Sequence, residues 1–472
     1  MVIGVLAGCA SWNDDPGREP GLDLPRAYGG GTNTPPGVGW LGDFNDPALN
    51  GLVVEALRNN PDVKATAARL RAALADVRIA RADQLPQLDA TMANSRTKRN
   101  NTGGFSLRSS RVNRFSPSLD LSWELDVWGR LADSRKAAAL DAESVAANLR
   151  AARLSLAANS VKAWFDIAEA ELQVALAEKT LESYRQNLKV LEEGLLLGLN
   201  KALDVRLMRT NVHAAESALE SARRTRDAAR RALETLLGRY PKSTVVTAAA
   251  LPTLDQSVPT GLPSQLLDRR PDLVAARKTF YAAHRRVAAA RKELLPQIRL
   301  TATGGTTSDE LNDVLNINNN IWQLAANLTQ PLFRGGRLRA QAARAAALRD
   351  EARHNYVQTA LTAFGEVETA LAAEEFLKQE ELARRAHKDE AALAAALALA
   401  EYRNGLVEIV TVLESDRRSF EAQRAWHTVR NQRLQNRLDL YKALGGDFAA
   451  PPEAPENGGD PNIGTVARGG AE

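Results

Sequence analysis

The side chains that most often do catalysis or hold metals are scarce here: five histidines and one cysteine in 472 residues. His213, His284, His354, His387 and His427 are scattered along predicted helices. None pairs with another at ligand spacing, so surface or seam positions suit them better than a metal site. No P-loop, Gly-x-Ser-x-Gly or dinucleotide fingerprint occurs. The residues predict no enzyme. Net charge is +4, from 61 basic and 57 acidic residues. That balance argues against a nucleic-acid partner. Basic clusters such as Arg223-Arg224-Thr225-Arg226 and Arg384-Arg385 read as solvated helix faces.

The one position placed for covalent chemistry is Cys9. It ends Leu6-Ala7-Gly8-Cys9, after apolar Val2, Ile3 and Val5. The pattern resembles a bacterial lipobox: small residues admit a peptidase, and the thiol accepts a diacylglyceryl group. Each buried methylene of such a chain contributes about 0.8 kcal/mol, so several acyl chains anchor stably. Beyond this covalent lipid on Cys9 no cofactor is expected. The Lys/Arg n-region usual in signal peptides is missing, which leaves the start of the signal peptide open. Ala10 follows, where an Asp would favour inner-membrane retention in similar lipoproteins.

The rest of the chain spells one sentence twice. Asn60-Pro61-Asp62-Val63 and Arg81-Ala82-Asp83-Gln84-Leu85-Pro86-Gln87-Leu88 return, 210 positions on, as Arg270-Pro271-Asp272-Leu273 and Arg291-Lys292-Glu293-Leu294-Leu295-Pro296-Gln297-Ile298. A repeat this long implies a duplicated half-molecule. Helix one is predicted from about Asn50 to Leu85, stopped by Pro86. After each second proline the period becomes two. Phe115, Pro117, Leu119, Leu121, Trp123, Leu125 and Val127 alternate with polar residues, which predicts a strand with one greasy and one wet face. Asn94 to Arg111 reads as a polar loop before it. Ile298, Leu300, Ala302 and then Trp322, Leu324, Ala326, Leu328 repeat the pattern. Strand length and terminal aromatics (Phe115, Trp123, Trp128, Trp322, Phe333) suit a membrane barrel.

Each hairpin leads into a very long helix. Leu131 to about Leu196 carries two apolar heptad stripes, one through Ala147, Leu154 and Val161, the other through Leu149, Leu156 and Tyr184. Two roughly opposed seams imply a neighbour on each side, as in a wall of helices. The helices turn at Gly198-Leu199-Asn200-Lys201 and Asn404-Gly405-Leu406. They return to Leu237-Gly238 and Leu444-Gly445. No run reaches the roughly 18 apolar residues of a spanning helix.

Four strands cannot close a barrel alone, and open edges in hydrocarbon cost several kcal/mol per unpaired group. Several copies must share one. Together the duplicated halves, Leu-Pro-Gln after helix one, the hairpins, the long helices and Tyr402-x-x-Gly405 resemble the TolC/OprM outer-membrane efflux family. The lipobox points to its lipoprotein branch, the NodT-type proteins of resistance–nodulation–division (RND) efflux. The resemblance implies a mainly α fold with a membrane β-barrel portion. It also implies a homotrimer with a 12-stranded β-barrel on a 12-helix α-barrel. Its place is the bacterial outer membrane, lipid-anchored and extending into the periplasm. The function implied is the passive exit duct of a tripartite pump for drugs or other small toxic compounds. An inner-membrane RND transporter drives it through a periplasmic adaptor (membrane fusion protein). A type I secretion channel is the same-fold alternative. A periplasmic coiled-coil adaptor or scaffold is a different class, and leaves the Phe115–Val127 alternation unexplained.

The resemblance also implies site residues. Asp204 and Tyr402 would join neighbouring helical hairpins at a gate by a phenol–carboxylate hydrogen bond; for Asp204 a helix N-terminal role is an even alternative. Glu414 takes the place of an acidic ring, Val410 of an apolar ring, and Thr411 of an acid in some members. A family arginine is Val407 here, which thins the closing network. Gly198, Leu199, Arg403, Gly405 and Leu406 would dock the adaptor. Asp120, Ser122, Glu124 and Asn327 would line the lumen. The expected organisation is 1–8 signal peptide remnant, 9–50 lipid anchor and tether, 51–240 first repeat, 241–263 equatorial linker, 264–448 second repeat and 449–472 disordered tail.

Overall fold

A computed structural model describes residues 27–29, 39–101, 108–198, 200–247, 250–254, 260–261 and 263–446. Cys9, Leu199 and the 449–472 tail lie outside them. The first repeat runs α1 (Ala48–Asn59), α2 (Pro61–Ala82), β1 (Gln87–Asn101), β2 (Arg108–Leu125), α3 (Arg130–Leu196) and α4 (Ala202–Leu236). The second runs α5 (Pro263–Arg269), α6 (Pro271–Lys292), β3 (Gln297–Thr306), β4 (Asn320–Thr329), α7 (Arg337–Arg403) and α8 (Ile409–Ala443). Matching helices have equal lengths: α2 and α6 have 22 residues, α3 and α7 have 67, α4 and α8 have 35. At 1.5 Å per residue the longest span about 100 Å each.

The single helix expected from Asn50 is broken at Asn60. Its side-chain oxygen accepts from the backbone N–H of Asp62 (2.9 Å) and Val63 (3.3 Å), capping α2 with Pro61 at the first helical position. The Asn60 amide also donates to Leu236 O at 3.0 Å. The equivalent Arg270 donates to Ala443 O at 3.3 Å. Gly238 and Gly445 adopt φ +70° and +74° there. An added Cβ would meet Asn59 O at 2.8 Å at the first glycine, and Arg270 Cα at 3.0 Å and the Arg269 carbonyl at 3.1 Å at the second. Each repeat thus closes back on its own beginning, through glycine in both copies.

Among the described residues two compact units result, and each draws on both repeats: one within residues 65–150 and 271–362, the other within 27–64, 151–270 and 363–446. The first holds one four-stranded antiparallel sheet in the order β1-β2-β3-β4, so β1 and β4 are both edges. In the second, Phe44 packs against Phe165 (5.2 Å between centroids), and Trp40 stacks on Tyr441 (5.4 Å). Ala147, Leu154 and Val161 are buried, and so are Leu149, Leu156 and Tyr184, so both stripes of α3 find cover. Among the described residues no helix is long and apolar enough to cross a membrane.

One expectation is corrected. The stretch Asn94 to Arg111 is not a loop: strands occupy both its arms, with Asn101 still paired to Arg108. The basic cluster on α4 is solvated as expected, with Arg223 and Arg224 exposed, but it also reaches α3. Arg223 and Arg226 cross to Glu178 (3.0 Å) and Glu171 (3.3 Å) on α3. Arg209 likewise meets Glu192 at 2.7 Å. These arginines clamp the α3–α4 pair rather than merely facing solvent.

Candidate functional site

The sheet sorts its side chains by register. Leu88, Leu121, Ala302 and Leu324 stand in one row across all four strands, and Ala90, Leu119, Gly304 and Trp322 in another. On the opposite face the row is Asp89, Asp120, Thr303 and Gln323. Asp120 accepts from the hydroxyls of Ser118 (2.8 Å) and Thr303 (2.9 Å). Glu124 pairs with Arg130 at 2.7 Å and lies 4.0 Å from Arg299, whose partner in register is Asn327. The expected lumen residues therefore share the wet face. Large apolar side chains on the other face are exposed, Trp322 at 76% and Leu324 at 72%. A soluble sheet covers such a face; this one suits hydrocarbon.

After β2 the chain re-enters helix through side-chain bonds. Asp126 accepts from the N–H of Leu131 (3.0 Å) and Ala132 (2.7 Å), capping α3. Trp123 and Trp128 donate their indole N–H to Gln84 O (2.9 Å) and Pro296 O (2.6 Å).

The helical hairpin tips form the second candidate region. Gly198 and Gly405 turn with φ +71° and +72°. Lys201 and Glu408 approach to 3.9 Å across the tips, both largely exposed. Beneath them Leu191, Val205, Met208, Ile409, Val412 and Leu413 share one buried cluster. Leu196, Leu203, Leu406 and Val410 remain exposed, as do Arg403, Gly405 and Thr411.

Within the chain the expected Tyr402–Asp204 hydrogen bond does not form. The Tyr402 hydroxyl donates to Asn200 Oδ1 at 3.4 Å. Asp204 instead accepts from the Lys201 backbone N–H at 3.2 Å, at the start of α4. The two remain electrostatically linked: burial and then the Asp204 charge push the Tyr402 phenol above its ordinary value. Asn200 takes the place expected of Asp204. Its amide also donates to Leu191 O at 3.2 Å, so it ties the turn to both helices.

Glu414 is likewise not a bare carboxylate. Arg417 (2.8 and 2.9 Å) and Arg418 (2.7 Å) donate to it from one turn along α8. Those hydrogen bonds lower its pKa to about 2. A ring of such carboxylates would therefore carry a counter-charge already in place in each chain. The Glu-x-x-Arg-Arg spacing was the sequence signal for it.

The sequence profile of the family described as "Outer membrane efflux protein" matches residues 52–239 and 262–446. OprJ of Pseudomonas aeruginosa, an outer membrane protein, is 33% identical over 412 residues, covering 87% of this chain and 86% of OprJ. The cation efflux system protein CusC of Escherichia coli is 30% identical over 414 residues, covering 87% and 88%. The toluene efflux pump outer membrane protein TtgF of Pseudomonas putida is 31% identical over 417 residues, covering 87% and 86%. Among solved structures, a membrane protein from Pseudomonas aeruginosa superposes with TM-score 0.85 at 32% identity, covering 90% of this chain and 98% of that one. The Campylobacter jejuni outer membrane channel CmeC gives 0.84 at 26%, covering 91% and 95%. With a two-faced open sheet and paired long helices matched over nearly its whole length, the chain belongs to the outer membrane efflux protein family, as a TolC-like outer-membrane efflux channel and not an enzyme.

Proposed function

We propose that this chain is one third of a passive exit duct, working as a homotrimer with a periplasmic adaptor and an inner-membrane RND transporter. The observation that carries the reading is the sheet with two unpaired edges and one exposed apolar face. In hydrocarbon each bare edge leaves a row of backbone groups unsatisfied, so β4 of one copy must meet β1 of the next. Three copies supply twelve strands, and the wet face carrying Asp120, Ser122, Glu124 and Asn327 then lines a channel. A lipid on Cys9 anchors each copy.

Closure falls to the helical tips in this reading. Tyr402, Asp204, Val410, Thr411 and Glu414 narrow the duct. Gly198, Leu199, Arg403, Gly405 and Leu406 dock an adaptor hairpin, and of these Gly198, Arg403, Gly405 and Leu406 are exposed. The repeats 51–240 and 264–448, joined by 241–263, each supply one strand hairpin and one helical hairpin.

Cargo is drugs or other small toxic compounds. Relatives at about equal identity are named for cations and for toluene, so the duct itself selects little. The test is a deletion strain profiled against toxic compounds, with outer membranes checked for a heat-modifiable oligomer. Loss of resistance restored by the gene, with a trimer on gels, is the expected result. A water-soluble monomer overturns the proposal.

A further inference from the structure

The first hairpin outgrows its sheet. β2 pairs with β3 only from Ser118 to Leu125, with one further bridge between Phe115 and Ser308. From Arg114 outward it pairs with β1 alone. Along this ribbon the apolar face changes character. Its cross-strand pairs run Leu88–Leu121, Ala90–Leu119, Met92–Pro117 and Asn94–Phe115, then Arg96–Asn113 and Lys98–Arg111. Leu125 to Phe115 is about 34 Å of strand, which at a barrel's usual tilt covers about 25 Å, the height of an outer-membrane apolar band. The cations begin where that band ends.

Arg96, Lys98 and Arg111 are all exposed. No Asp or Glu lies between Asp89 and Asp120 to neutralise them along the hairpin. On a face whose lower part meets acyl chains, the next chemistry encountered is that of head groups. We propose that Arg96, Lys98 and Arg111 form a binding site for the phosphates of a phosphorylated glycolipid in the outer leaflet. The two guanidinium forks donate paired N–H groups to phosphate oxygens, and Lys98 adds a point charge beside them. Phe115 and Met92, on the same face, receive the acyl chains. This rests on reading the apolar face as the lipid-facing one. The ribbon carries its own control: Arg114 pairs with Ser95 on the opposite face.

Purified full-length protein in detergent is titrated with bis-phosphorylated lipid A and with its dephosphorylated form, and bound lipid is read by native mass spectrometry. Wild type and Arg114→Gln are expected to bind the phosphorylated lipid equally. The triple variant Arg96→Gln/Lys98→Gln/Arg111→Gln is expected to bind on the order of 100-fold more weakly, about fivefold per cation. Should the triple variant fail to assemble, Lys98→Gln alone carries the same comparison with a loss of about fivefold. Unchanged binding by the variants, or equal binding of the dephosphorylated lipid, overturns the site. Competition by inorganic phosphate at matched concentration assigns it to a free anion and also overturns it. Wild-type protein from the same preparation is checked for outer-membrane fractionation and oligomer. If those hold while lipid binding is indifferent to charge, the lipid site falls and the channel stands; if they fail, the channel reading falls with it.

Discussion

The Tyr402 hydroxyl donates to the side-chain oxygen of Asn200 at 3.4 Å, joining the end of α7 to the turn ahead of α4. In the proposed gate this bond holds the two hairpin tips together. Tyr402→Phe and Asn200→Ala each remove it, and each is expected to favour the open state by about 1 kcal/mol, roughly fivefold in open probability. The double variant should add little to either single one, because both delete the same contact. Single-channel recording in planar bilayers reads this directly. Additive effects would mean that the two residues act apart.

Arg417 and Arg418 hold Glu414 ionised far into acid. Its pKa of about 2 lies below the ordinary 4.5, so whatever ion selectivity its charge sets at the proposed gate is expected to stay level as pH falls from 7 to about 3. Arg417→Ala/Arg418→Ala removes the cause of the depression. Selectivity in that variant should then fall as pH drops through about 4.5, measured as reversal potential in a salt gradient.

Glu234 is buried near the end of α4. It accepts from the backbone N–H of Ser243 (2.6 Å) and Thr244 (2.6 Å) and from the Thr244 hydroxyl (2.8 Å). Burial alone would raise its pKa, yet these donors hold it at about 2. A depressed carboxylate contributes stability above its unfolded value, near 4.5, and loses it as pH falls toward 2. Glu234→Gln should cost about 1–3 kcal/mol at neutral pH. Proteolysis of residues 239–247, faster in the variant and in acid, is the readout.

Gly238 and Gly445 do the same work in the two repeats, so Gly238→Ala and Gly445→Ala should fail alike. Each combines a positive φ with a Cβ pressed on backbone. A cost above about 1 kcal/mol each is expected, seen as reduced yield of assembled protein.

Sheet faces can be told apart by charge insertion. Leu324→Arg on the apolar face should cost about 2–4 kcal/mol in lipid. Its neighbour Gln323→Arg, on the wet face, should assemble normally and shift conductance instead. Urea unfolding in vesicles together with conductance separates the two outcomes.

The sequence carried most of the architecture because hydrocarbon and close helix packing both impose periods. Alternation from Phe115 to Leu125 had to be a strand, although it ends two residues short of Val127, where Asp126 turns to cap α3, and the opposed stripes of α3 had to be covered twice. Where that pressure lapses, the pattern lapses too. Residues 94–101 are paired like those before them, but past the apolar band no alternation is required, so they read as a loop. The break at Asn60 is written in Asn-Pro-Asp, a cap followed by a helix-opening proline, although the apolar periodicity runs through it as if through one helix. Asn200 left no local trace, since only the tertiary fold brings it to Tyr402. The lipid on Cys9 and the docking role of Leu199 rest on the sequence alone.

A protein that leaves both borders of its sheet unfinished has a genetic consequence. In the proposed trimer a faulty copy is not simply lost from the pool; it takes a seat beside sound ones and spoils the ring it joins. Alleles that damage β1 or β4 should therefore be dominant over the intact gene, whereas alleles that prevent the chain from reaching the membrane at all should be recessive.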